Sequence, residues 1–193
     1  MNKKGLREDH FIPSEVEEGD HFRGGSGPFL EADPSRFNPD TPTPYTFNWR
    51  KRNEWGSPPE FEEDEGIMAK HPLEGVIMTF IGSKDTFYEV DCKYYLLNLR
   101  DDLKKKGMYE IPWNFVVGGD GTVYTARGWD RLPEPHPEEP EMNGKSIEIG
   151  HFGTRGTLPP NEAQIASAWE VVEYGIKEKY LIPEPERSSF FYA

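Results

Sequence analysis

Cysteine is almost absent from this 193-residue chain, where Cys92 stands alone. One thiol cannot close an intramolecular disulfide, which separates the sequence from bridge-dependent secreted domains and favours a reducing compartment. No stretch approaches the roughly 18 consecutive apolar residues of a membrane-spanning helix, so no membrane is expected as a partner. Positive charge is also scarce. Lys and Arg number 22 against 35 Asp and Glu, a formal net charge of −13. That excess of anions argues against a general nucleic-acid or anionic-membrane binder. The opening MNKKGLREDHFIP has basic residues with no apolar stretch behind them; it does not read as a secretory leader, and an intracellular location is the expectation. The five histidines, His10, His21, His71, His136 and His151, show no spacing of the H-x-x-x-H kind that would pair them on a metal.

What is present divides the chain unevenly. Residues 1–48 hold Gly24-Gly25, Gly27-Pro28 and four further prolines, Pro34, Pro39, Pro42 and Pro44, which disfavour a long helix or a central strand. Yet Phe11, Phe22, Phe29, Phe37, Tyr45 and Phe47 are spread along the segment, and a merely solvating tail is usually poor in aromatics. The segment reads as an extended, irregular arm that lays aromatic anchors on another surface. A folded domain is expected over 49–182, followed by a short tail over 183–193 that carries Phe190, Phe191 and Tyr192.

Within the domain, Gly75–Phe80 is a short apolar run suited to a buried strand. Thr86 and Glu89 form a capping-box pattern. Cys92, Leu96, Leu99 and Leu103 then recur on one helical face, with Lys104–Lys106 and Gly107 at its end. Cys92 there reads as a small buried hydrophobe. Strands are expected over 113–117 and 122–126, joined by Gly118-Gly119-Asp120-Gly121, whose glycines suit the positive-φ positions of a tight hairpin. A strand over 146–152 and a helix over 161–179, burying Ile165, Trp169, Val172 and Ile176, complete an α/β domain with a mixed sheet. Between the hairpin and the strand over 146–152, Pro133–Glu141 is a stiff acidic loop, a surface for water or for a basic partner.

Several segments together resemble a known family. Arg52-Asn53-Glu54-Trp55-Gly56, the long run Asn114–Tyr124 followed by Arg127-Gly128-Trp129, and Asn143-Gly144-Lys145-Ser146-Ile147 are similar to motifs of peptidoglycan recognition proteins, which belong to the type-2 N-acetylmuramoyl-L-alanine amidases. The resemblance covers about residues 50–180. It implies a central mixed β-sheet flanked by helices, with a substrate groove on one face. In active members two histidines and a cysteine hold zinc, and a tyrosine supports the developing oxyanion. Here Thr79 occupies the first ligand position and Trp113 the position of the tyrosine. A hydroxyl is a poor zinc ligand, and an indole N–H exchanges no proton near neutral pH. No His or Cys follows residue 151, where the other two ligands belong. The family's last helix also looks missing.

The expectation is therefore a pseudo-amidase with no catalytic residue, no metal and no cofactor. Trp55, Arg127, Trp129, His136 and Asn143 would line a vestigial groove, with His136 nearest the groove histidine of the family and His151 facing the same cleft. The preferred reading is an intracellular structural or interaction protein whose aromatic arm and tail fasten it into a large assembly, for instance a cytoskeletal or axonemal (ciliary) filament. The alternative is a non-catalytic protein that binds peptidoglycan. A zinc amidase is the remote third reading, for a chain whose own ligands lie beyond residue 193.

Overall fold

The computed structural model describes residues 48–62, 65–83, 88–156 and 158–189, all within one compact unit, Pro42–Ala193. The aromatic anchors of the arm and of the tail lie outside the described residues, as does Thr86.

Among the described residues, the strands and α-helices follow in the order β1 (Trp49–Arg50), α1 (Arg52–Trp55), β2 (Leu73–Phe80), α2 (Glu89–Lys105), β3 (Phe115–Val117), β4 (Val123–Thr125), β5 (Ser146–His151), α3 (Glu162–Lys177) and β6 (Leu181–Ser189). They form one six-stranded sheet in the order β1-β4-β3-β5-β2-β6. Only the β3–β4 hairpin is antiparallel; the other pairings are parallel. The sheet is mixed and helix-flanked, as the sequence implied. Alternation along the strands separates two cores. Phe115, Val117, Ile147, Ile149 and Met78 pack against Ala168, Val171 and Val172 of α3. Val116 and Tyr124 pack against Cys92 and Leu96 of α2.

Local chemistry explains the elements, with some departures from expectation. In the hairpin only Gly121 of the four loop residues takes positive φ, 83°. Asp120 does the rest, its carboxylate accepting from the backbone N–H and the hydroxyl of Thr122. The N-cap of α2 is Tyr88, with no side-chain cap. Its stripe holds at Cys92 and Leu96, while Leu99 and Leu103 are half-buried and Arg100 joins the interior. α3 begins at a true capping box, Asn161 with Gln164. Its buried face is rotated from the expected one: Ala168, Val171, Val172 and Gly175 face the sheet, and Ile165, Trp169 and Ile176 are half-buried. The small residues permit a closer approach than the large ones would. A Cβ on Gly175 would stand 2.5 Å from Cη2 of Trp129.

The tail needs the largest correction. A boundary at 182 cuts through β6, which runs alongside β2 to Ser189. The strand holds Pro183 and Pro185, and it lies at the sheet edge, where a missing N–H is tolerated. The register slips between Leu73 and Gly75, and regular pairing resumes at Glu186.

Candidate functional site

Thr79 and Trp113, the two positions singled out in the sequence, meet in the structure. Thr79 lies near the end of β2, and Trp113 leads into β3. Trp113 Nε1 donates to Thr79 Oγ1 at 2.8 Å. Thr79 Oγ1 donates in turn to Glu148 Oε1 at 2.7 Å. Glu148, on β5, is a member that sequence reasoning missed. Thr79 and Glu148 are each only 6% exposed, so a carboxyl group has been placed inside the domain with two neutral donors around it.

The scaffold holds this cluster tightly. Asn114 clasps the main chain of Glu148, accepting from its N–H at 2.8 Å and donating to its carbonyl at 2.9 Å. The Asn114 amide also donates to the carbonyls of Gly128 and Arg131. The indole of Trp113 passes over Gly150, where an added Cβ would come within 3.0 Å of the ring and 2.7 Å of Ile81.

Burial pushes the Glu148 carboxyl up to about 7, against the opposing hydrogen bonds of Thr79 and Trp113. His151 does not face a groove. It is fully buried, its Nδ1 lies 3.2 Å from the carbonyl of Thr79, and burial pushes the imidazole down to about 4. Among the described residues, no three His, Cys, Asp and Glu side chains converge as a metal site. A hydroxyl, an indole N–H and one carboxyl, hydrogen-bonded in a row, are not the imidazole and thiolate donors that zinc takes in the family, and they do not fit that metal.

The residues expected to line a vestigial groove come together only in part: Arg127 and Trp129 line one cleft, which Trp55, His136 and Asn143 do not share. Trp55 is buried in the α2-side core and donates to the Thr125 carbonyl. Trp129 is in the α3-side core, stacked on Tyr180 at 4.8 Å and 7°. Arg127, 3% exposed, serves the carbonyls of Ile111 and Leu132 and pairs with Glu134. His136 and Asn143 tie the acidic loop to itself through two hydrogen bonds. That loop is less available to a basic partner than its composition suggested: Glu134 meets Arg127, Glu138 meets Arg155, and Glu139 accepts from Ser188.

A second buried carboxylate was also missed. Glu110, 0% exposed, is met by Arg52 at 2.8 Å, Arg100 at 3.2 Å and the Ser57 hydroxyl at 2.9 Å. The only sequence cue was Arg100 itself, four residues after Leu96 on a buried helical face.

Comparison with known proteins agrees with this architecture. The family model described as N-acetylmuramoyl-L-alanine amidase matches residues 71–190. Peptidoglycan-recognition protein 2 of Holotrichia diomphalia is 27% identical over 131 residues, 66% of this chain and 65% of that protein, so the chain spans less than two thirds of that relative. The solved ectodomain complex of peptidoglycan recognition proteins LCa and LCx with tracheal cytotoxin superposes with a TM-score of 0.64 at 25% identity, over 75% of this chain and 84% of that one. Human PGRP-IBETAC, solved with glycosamyl muramyl pentapeptide, gives a TM-score of 0.64 at 20% identity over 74% and 84%.

Proposed function

The chain belongs to the N-acetylmuramoyl-L-alanine amidase family, and from that premise we propose that it is a non-hydrolytic member, serving as an intracellular structural or interaction protein within a larger assembly. The observation that carries this reading is the row Trp113–Thr79–Glu148. Where the family's chemistry needs an open metal position and a proton-exchanging phenol, this chain has side chains that satisfy one another. A threonine hydroxyl that already donates to Glu148 and accepts from Trp113 has little left to offer a substrate water. The single cysteine and the net charge of −13 support the intracellular setting, and the aromatic residues of the first 47 support attachment to neighbours. A cytoskeletal or ciliary filament is the setting we propose.

A second reading, binding of muropeptide without cleavage, is favoured by the relatives. One carries the name peptidoglycan-recognition protein, and another is solved with tracheal cytotoxin. One experiment separates the readings. The purified full chain, supplied with zinc, is incubated with insoluble peptidoglycan, and new L-alanine amino termini and co-sedimented protein are both measured. Neither is expected. Co-sedimentation alone would establish the second reading, and new amino termini would overturn both. In parallel, the tagged protein is fractionated from its own cells. Retention in a detergent- and salt-resistant fraction is expected, and recovery in the medium would end the scaffold reading.

A further inference from the structure

A cleft of about 380 Å³ is lined by residues of β1, β3 and β4 and of the loops after α1 and β4, and it shares no residue with the Thr79 cluster. Its walls are aromatic: Trp49, Phe61, Phe115 and Trp129. Trp49 meets Phe115 edge-on at 5.4 Å, and Phe115 lies 4.8 Å from Trp129. The volume sits at the small end of ligand pockets. It suits one or two side chains rather than an extended polymer.

Two polar groups stand at its walls. Trp129 is nine-tenths buried, and its Nε1, shut off from solvent, has no hydrogen-bond partner among the described residues. A buried donor without an acceptor is uncommon in folded proteins. Arg131 lies over Phe61 at 5.3 Å and spends one N–H on the Glu65 carbonyl and another on the Met68 sulfur. It takes part in none of the ion pairs among the described residues. Deeper in, Arg52 lies over Phe61 at 3.8 Å and shares the single carboxylate of Glu110 with Arg100. The interior of the cleft is thus rich in donors and cations within an acidic protein, while Glu60 and Asp130 stand exposed among the residues lining it.

We propose that this cleft receives a peptide segment of a protein partner in which a carboxylate side chain adjoins an aromatic ring, the ring lying among the aromatic walls and the carboxylate meeting Arg131. The Arg131 guanidinium calls for an acceptor that carries negative charge, and the rings call for a flat apolar neighbour. The assignment is independent of what happens at Thr79.

The test follows the indole ¹H–¹⁵N resonance of Trp129 in the ¹⁵N-labelled full chain, identified by its loss in Trp129→Phe. Acetyl-Glu-Phe-amide is titrated against it, with acetyl-Gln-Phe-amide and N-acetylmuramyl dipeptide as comparisons. A saturable shift is expected with the acidic peptide, and affinity at least about tenfold weaker with the neutral peptide. Arg131→Gln, a change at a half-buried side chain, is expected to weaken the acidic peptide by a similar factor while the Trp55 and Trp113 resonances stay in place. Those resonances certify the fold. No shift at millimolar peptide, an equal response to the neutral peptide, or an unaltered affinity in Arg131→Gln would overturn the proposal. A stronger response to the muramyl dipeptide would do so too, and would assign the cleft to muropeptide.

Discussion

Among the described residues two carboxyl groups are buried, and they are treated in opposite ways. Glu110 is enclosed with two guanidinium groups and a hydroxyl. Glu148 is enclosed with a hydroxyl and an indole and, among the described residues, has no cation within ion-pair distance. Removing an ion from water costs several kcal/mol, and only a close counter-charge or protonation recovers it. At Glu110 the counter-charge comes from α1 and α2, and the carboxylate fastens both helices to the loop before β3. At Glu148 no such charge is within ion-pair distance among the described residues, and burial pushes the carboxyl up to about 7 against the more distant Arg127. Burial alone therefore says little about the role of an acidic residue; the charge of its neighbours decides. Glu110 is a structural tie, whereas Glu148 ends a row of hydrogen-bonded side chains.

The sharpest way to break the comparison is to neutralise each group by the same change. Glu110→Gln leaves Arg52 and Arg100 buried without their anion, and a loss of about 3–5 kcal/mol is expected at pH 7 by urea unfolding. A loss below about 1 kcal/mol would mean that the guanidiniums find water, and the contrast would collapse. Glu148→Gln is expected to do the reverse above neutrality. The folded carboxyl, at about 7, stands above its ordinary 4.5. Between those values the native state keeps a proton that the unfolded chain has released, so stability falls as pH rises through that window and is level above it. The difference corresponds to about 3 kcal/mol. Glutamine keeps an acceptor for Thr79 and cannot ionise, so the variant is expected to exceed the parent by roughly that amount at pH 8 and to match it at pH 4.

The same variant exposes an opposing group. His151, held at about 4 against an ordinary 6.5, contributes stability that is lost as pH falls through that interval, because the unfolded chain binds the proton first. In the parent the two slopes run against each other between pH 4.5 and 6.5. With Glu148→Gln in place, stability should rise with pH over that range. A flat profile in the variant would show that His151 reaches solvent.

How much of this was legible beforehand follows from the range of each interaction. The strand over Leu73–Phe80, both long helices and the hairpin are written in local periodicity and in the placement of glycine, and the motifs around Trp113 and Arg127 carried the fold. Thr79 and Trp113 were found because each departs from a position with a known chemical role. Glu148 was not, since its partner is 69 residues away and a Glu in Ser-Ile-Glu-Ile-Gly-His reads as the wet side of a half-exposed strand. Trp55 and Trp129 were grouped wrongly for the converse reason. Adjacent motifs do not disclose which face of a sheet each side chain takes, and here the faces are opposite. β6 was not foreseen: it holds Pro183 and Pro185, whose effect depends on whether a strand lies at an edge, and sequence spacing does not carry that information.

Smaller effects sharpen the picture at the margins. Gly175→Ala would gain about 1 kcal/mol from helix propensity alone. But the new methyl would meet Trp129, whose ring is stacked on Tyr180 and cannot easily turn aside. A net loss of about 1–2 kcal/mol is expected; a gain in thermal stability would show that α3 can shift outward.

The smallest effect is expected at a third carboxylate. Glu138 faces Arg155 at 3.3 Å, with side chains 51% and 41% exposed. Water already solvates both ions there, so neither the cost that shapes Glu148 nor the counter-charge that Glu110 needs applies. Glu138→Gln should change unfolding free energy by less than about 0.5 kcal/mol at any pH from 4 to 8, and added salt should leave even that difference smaller. If it instead cost as much as Glu110→Gln, the acidic loop would be acting as a tie between the end of β5 and the rest of the domain. Exposure would then be a poorer guide to the work of a carboxylate in this fold than the charge of its neighbours.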